Sequence, residues 1–371
     1  MQSLGLYLHI PFCKSKCIYC DFYSLPRAEG TMDDYTRALC AQLRAAAERC
    51  ASYRVDTVYF GGGTPSYLGA DRLCRVLDTV RAHYAVAPDA EITLEANPDS
   101  AREDMVLCAL RAGGFNRISL GMQSADDDEP RRIGRVHTHR ETCEAVAAAR
   151  AAGFDNLSLD LIYGLPGQTA ARWEENLRAA LALRPEHLSC YGLKVEDGTP
   201  LAALRDTLTL PDDDAQAARY LRAVGLLAEA GYAQYEISNF ARPGRESRHN
   251  LRYWELGEYL GFGPGAHSDF GGRRFALARD LRAYCAGELL LSEDGVPTPA
   301  ERRVERVMLS LRLTKGLDLA ALGGETAGAE KVLRECAHHG LAEGSGTRWR
   351  LTARGFLVSN AIIVRVLEAL E

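Results

Sequence analysis

Six short runs of β-branched, aromatic and leucine residues recur along the first part of the chain: "LGLYLHI", "VDTVYF", "AEITLEA", "FNRISLG", "NLSLDLIYG" and "HLSCYGLKV". A longer stretch rich in Ala, Leu, Arg and Glu follows each of them. This alternation predicts a βα series. Right-handed crossovers keep the helices on one side, so the six strands should form a parallel sheet that curls toward a TIM-like partial barrel over residues 1–235. Helix punctuation agrees. "TMDDYTRALCAQLRAAAER" opens on acidic residues, and "LRAGGF" and "RAAGF" place glycines where a left-handed cap would end a helix.

After "QYEISNFARPGRESRHNLRYWELGEYLGFGPGAHS", dense in turn formers and aromatics, the pattern changes. Residues 236–298 read as a connecting segment. Residues 299–371 read as a smaller helical unit, with helices in "ERRVERVMLSLRL" and "EKVLRECAHHGL", a hairpin in "AEGSGTRWRLTARG" and a last helix. Helices plus a hairpin suggest a winged helix. Lys and Arg barely outnumber Asp and Glu in this unit, so a cap or partner surface is expected rather than a DNA reader.

The chain has 371 residues and a formal net charge of −6, a balance that disfavours broad nucleic-acid binding. No stretch approaches the length of a membrane span, and the first residues enter a β-type run without a basic leader, which reads as cytoplasmic. Most of the eleven cysteines stand singly in helical patterns, where a free thiol packs as a small hydrophobe. Cys13, Cys17 and Cys20 instead cluster in "CKSKCIYCDFYS" directly after the first strand. Three thiols leave one unpaired in any disulfide scheme, and a structural zinc would want a fourth ligand at a matching spacing. A 4Fe–4S cube fits better, since three thiolates hold three irons and leave the fourth open.

CxxxCxxC after a first strand resembles the radical S-adenosylmethionine (SAM) superfamily. "LYLHIPFCKSKCIYCDFYS", "FGGGTPS", "EANP", "GMQS", "IGRVHT", "DLIYGLPGQT" and "HNLRYWELGEYLGFGPGAHS" narrow the resemblance to the HemN-like branch, which holds oxygen-independent coproporphyrinogen III oxidases and HemW-type heme chaperones. The resemblance implies that the open iron takes SAM, with Gly62, Gly63 and Thr64 near its amino group. It places Tyr7 near SAM and Tyr19 against the adenine. Glu95 and Gln123, at strand ends on one rim, could hydrogen-bond ribose, carboxylate or amine groups; Arg135 in "IGRVHT" offers a fork for a carboxylate, and Asp160 in "SLDLIYG" could bind ribose hydroxyls. His9 shares a face of strand one with Tyr7 and reads equally well as a satisfied core histidine. "YGLPGQT" is a strand-to-helix turn without assigned chemistry.

Oxidases of this branch carry CxxxCxxCxC and an N-terminal extension before strand one. This chain has Phe22 at the fourth-cysteine position and begins its first strand almost at once. Both features resemble the HemW type and speak against oxidase activity. "HNLRYW" matches the HNxxYW segment associated with heme in that type, making His249 the candidate axial ligand, with Tyr253 and Trp254 as aromatic walls. The same residues would also serve as a helix cap and domain core. His267, His137 and Cys190 are reserve ligands.

The resulting expectation is a heme chaperone with a 4Fe–4S cluster, SAM and heme. It would serve apo-hemoproteins such as respiratory enzymes, work peripherally at the membrane when the recipient is membrane-bound, and leave room for a homodimer. Porphyrinogen decarboxylation is the enzymatic alternative. An RNA-modifying radical SAM enzyme is a third reading, opposed by the acidic balance.

Overall fold

The computed structural model describes residues 1–101 and 104–370. Six strands follow one another in space as in sequence: β1 (Gln2–Ile10), β2 (Tyr53–Gly62), β3 (Val86–Ala96), β4 (Arg117–Gln123), β5 (Leu157–Tyr163) and β6 (His187–Gly192). Each neighbouring pair is parallel. The helices that follow these strands include α1 (Met32–Ala46), α2 (Ala70–His83), α3 (Asp104–Ala112), α4 (His139–Ala151), α5 (Ala170–Ala182) and α6 (Asp213–Glu229).

Local chemistry sets these elements. Thr138 and Glu141 form a reciprocal capping box at the start of α4. Gly114 and Gly153 adopt φ of 99° and 91° after α3 and α4, the left-handed turns expected of "LRAGGF" and "RAAGF". On β1, Leu4, Leu6 and Leu8 are fully buried in the main apolar cluster, which α1 and α2 share through Leu39, Leu43, Val76 and Leu77. The alternate residues Gly5, Tyr7 and His9 take the concave face.

Short strands extend both edges. On one side, β7 (Ala233–Gln234) forms the edge and β8 (Asn239–Ala241) lies between it and β6, antiparallel to both. On the other, β9 (Tyr259–Phe262) runs parallel to β1, and β10 (His267–Phe270), β11 (Arg273–Leu277) and β12 (Leu291–Gly295) continue antiparallel. The twelve-stranded sheet has free edges at β12 and β7, so the curled sheet remains an open barrel. The segment read as connecting thus contributes strands to the central sheet. Between its strands lies α7 (Arg248–Trp254), the helix of "RHNLRYW".

The C-terminal part holds α8 (Pro299–Ser310), β13 (Leu317–Asp318), α9 (Ala327–His338), the hairpin β14 (Ala342–Ser345) and β15 (Arg348–Leu351), and α10 (Ser359–Glu368). Its own core, with Val307, Leu311, Leu333, Trp349 and Phe356, also takes in Tyr220 of α6 and so seals against the main sheet. Among the described residues no helix is long and apolar enough to cross a membrane.

Candidate functional site

The cysteine loop leaves β1 at the C-terminal edge of the parallel strands, where such sheets place their chemistry. Ile18 ties the loop down: its amide donates to the Ile133 carbonyl, and its carbonyl accepts from the Leu201 amide. Cys13 is buried, while Cys17 and Cys20 are half-buried. Burial pushes the Cys13 and Cys20 thiols up, and the nearby Cys17 adds to both shifts. Three thiols this close repel one another as thiolates, a cost that bound iron would remove. In a cube each thiolate takes its own iron, so the sulfurs need not converge on one ion. Three thiols from one loop are the donor set for a cluster with one iron left open.

A hydrogen-bonded chain links the loop to the strand ends. The Cys13 thiol lies 3.4 Å from the Thr64 hydroxyl, which accepts from Asn97 Nδ2 at 3.1 Å. Asn97 Oδ1 accepts from Arg135 at 2.5 Å, and the other Arg135 terminal nitrogen donates to the Tyr19 hydroxyl at 3.1 Å. Arg135 Nε is enclosed without a partner. The structure thus brings Cys13, Thr64, Arg135 and Tyr19 together, as the sequence suggests. Asn97, the hub of the chain, was missed. Its signal was its place in "EANP", two residues beyond Glu95.

Glu95 accepts from the Tyr59 hydroxyl at 2.7 Å and from the Gly62 amide at 3.1 Å. Burial pushes its carboxyl up to about 7, against the Tyr59 hydrogen bond, and the Asp160 charge adds to the rise. Asp160 accepts from the Ser119 hydroxyl at 3.2 Å, and burial raises its pKa as well. Gln123 ends β4 with φ of 63°, rare for a residue with a side chain, and its amide has no hydrogen bond among the described residues. A buried, strained and unpartnered Gln at a strand end fits a ligand contact, as does the orphaned Arg135 nitrogen.

The "FGGGTP" loop is explained first by the chain's own packing. A Cβ on Gly62, whose φ is 112°, would meet the His9 ring at 2.6 Å, and one on Gly63 would meet the Phe12 carbonyl at 2.7 Å. The Gly63 and Thr64 amides donate to the Ile10 and Phe12 carbonyls. Glycine here lets the loop lie against the cysteine loop, so the close approach it permits is first of all between two backbones. Tyr7 points into the concavity and hydrogen-bonds His9 Nδ1 at 3.0 Å, while His9 Nε2 lies 2.8 Å from the Tyr23 carbonyl. With both ring nitrogens satisfied and burial lowering its pKa to about 4, His9 is a core histidine.

His249 lies at the other end of the strands. It is 1 % exposed, with Nδ1 2.8 Å from the Thr57 hydroxyl and Nε2 2.7 Å from the Tyr253 hydroxyl. Its ring stacks on Tyr59 with centroids 5.1 Å apart. Burial, with the Arg252 and Arg117 charges adding, lowers its pKa to about 3. The Glu91 carboxylate receives the Arg248 and His249 amides, both at 3.0 Å, so α7 plugs the floor of the open barrel. Thr57 and Gly62 are five residues apart on β2, so this floor lies about 17 Å below the glycine loop at some 3.3 Å per residue. In this conformation neither His249 nitrogen is free to bind iron. Of the reserve ligands, His137 and Cys190 are buried, whereas His267 is exposed beside Glu293.

Residues 7–180 match the radical SAM superfamily, which is built around a 4Fe–4S cluster and SAM, and residues 298–358 match the HemN C-terminal domain. A curated relative from Mycobacterium tuberculosis, named heme chaperone HemW, is 42% identical, covering 98% of this chain and 94% of its own. The Escherichia coli protein of that name is 37% identical, covering 98% of each chain. The solved coproporphyrinogen III oxidase (HemN) from Escherichia coli superposes with a TM-score of 0.85 at 27% identity, covering 98% of this chain and 90% of its own. With this end-to-end similarity, the chain belongs to the HemW family of the radical SAM superfamily.

Proposed function

We propose that the chain is a heme chaperone that binds heme and, with a 4Fe–4S cluster and SAM, hands it to apo-hemoproteins such as respiratory enzymes. The observation that carries this reading is the end-to-end similarity to relatives named heme chaperones. Phe22 supports it over the oxidase, because an exposed phenyl ring stands where the resemblance gives oxidases a further cysteine.

In this reading Cys13, Cys17 and Cys20 hold the cluster, which when loaded would supply an electron to SAM. Arg135 and Gln123 would hold the charged and amide-accepting ends of the methionine part. Glu95 and Asp160 would accept from hydroxyl groups, and Tyr19 would flank the base, with Tyr7, Gly62, Gly63 and Thr64 closing the site around the amino group. Asn97 is a positioning residue, since it orients Thr64 and Arg135 together.

His249 remains the proposed axial ligand. Ligation requires α7 to loosen so that Nε2 leaves Tyr253. The function divides the chain into a cluster and SAM unit over 1–235, a heme segment over 236–298 and a C-terminal unit over 299–371. It would work in the cytoplasm, at the membrane surface when the recipient is membrane-bound. An anaerobic hemin titration of the cluster-loaded protein should give a saturable Soret band that weakens in His249→Ala. Turnover of coproporphyrinogen III to protoporphyrinogen IX by the same preparation would overturn the reading.

A further inference from the structure

A cleft of about 330 Å³ opens where the C-terminal end of α7 meets the C-terminal unit. Leu313 and Leu317 lie beneath it, almost wholly buried, and the cations of Arg306, Lys315 and Arg348 stand around it with the carboxylates of Glu255 and Asp318. Two of these cations are paired. Lys315 holds Glu255, the residue that caps α7, at 2.8 Å, and Arg348 holds Asp318 at 3.2 Å. Arg306 has no hydrogen bond or ion pair among the described residues. The cleft therefore has one spare positive charge.

That charge selects an acid, whose carboxylate matches the guanidinium fork of Arg306. The volume is at the low end for small-molecule pockets, so the cleft takes an edge of a large ligand rather than the whole of it. We propose that this cleft docks the carboxylate-bearing edge of the heme, with Arg306 as its anchor. The inference rests on the chaperone reading and names where the cargo first binds.

The position also links docking to α7. The Glu255–Lys315 pair is one of the ties that hold this helix. The Arg252 guanidinium, joined to Asp56 and to Ser3, is another. A ligand carboxylate that competes for Lys315 frees Glu255 and removes the tie at the end of the helix that carries His249. Docking at the surface thereby loosens the plug that hides the axial ligand.

The test compares hemin with hemin dimethyl ester, which keeps the macrocycle and lacks both free carboxylates. Both are titrated against the full cluster-loaded chain and its Arg306→Ala variant. Arg306 is exposed and unpaired, so its removal leaves the fold intact. The expected result is that the variant binds hemin about tenfold more weakly, the factor carried by one interaction of some 1.4 kcal/mol, and binds the ester as the parent does. Hemin binding of equal strength in parent and variant would overturn the inference. So would a loss of the same size for hemin and ester. Absence of binding by the parent to either probe would instead overturn the chaperone reading on which the inference rests.

Discussion

Glu95 is an acid of the candidate SAM site. Its carboxyl rises from an ordinary value of 4.5 to about 7, with burial as the first cause. An acid raised in the folded state costs stability above that pKa, and the cost disappears below the unfolded value. Glu95→Gln should therefore raise the unfolding temperature above pH 7 and leave it unchanged near pH 4.5. The same change should abolish a loss of SAM affinity that the parent shows as pH falls through 7. Thermal unfolding and SAM titration across pH check the two arms. Glu95 and Gln123 could be singled out because each lies at or next to the end of a recognisable strand run, whereas Asp160 sits in the middle of β5. The relay through Asn97 was not legible, because it joins loops after three different strands and depends on side-chain angles that no spacing encodes.

At the scale of single elements, α7 is where structure and motif reading diverge most. "HNLRYW" advertises a histidine and aromatics, and those residues do lie together. What the motif could not reveal is that the helix is inserted into the sheet's concavity, with Glu91 on its first amides and Thr57 on the imidazole. Both partners come from strands far away in sequence, and neither belongs to a local capping pattern. If His249 must leave Tyr253 before meeting iron, Tyr253→Phe should raise the hemin association rate by removing that competing bond, with Nε2 left unpaired. Stopped-flow mixing at the Soret band reads this. An unchanged rate would place the slow step elsewhere in the helix.

Across the whole molecule, the six parallel strands were legible because each strand–helix step is local and right-handed. The edge strands β9 to β12 were not, since β9 pairs with β1 across almost the full length of the segment before it. An ion network fastens this edge to the C-terminal unit: Asp269 of β10 receives Arg274 of β11 at 2.8 Å and Arg302 of α8 at 2.6 Å, and Glu305 of α8 pairs with both arginines. The Asp269 side chain is only 9 % exposed. Asp269→Asn should cost about 2 kcal/mol, as expected for losing charge-assisted hydrogen bonds there. Urea unfolding measures the loss, and limited proteolysis should show cleavage beginning before α8.

The reading of this assembly as a carrier rather than a porphyrin-making enzyme is tested most directly by a hand-off. Protein loaded with cluster, SAM and hemin is mixed anaerobically with an apo-hemoprotein, and the recipient is separated and its spectrum recorded. The recipient should acquire its holo spectrum as the Soret band of the donor declines, and His249→Ala should reduce this transfer. Heme that stays with the donor while added coproporphyrinogen III is decarboxylated would contradict the carrier reading.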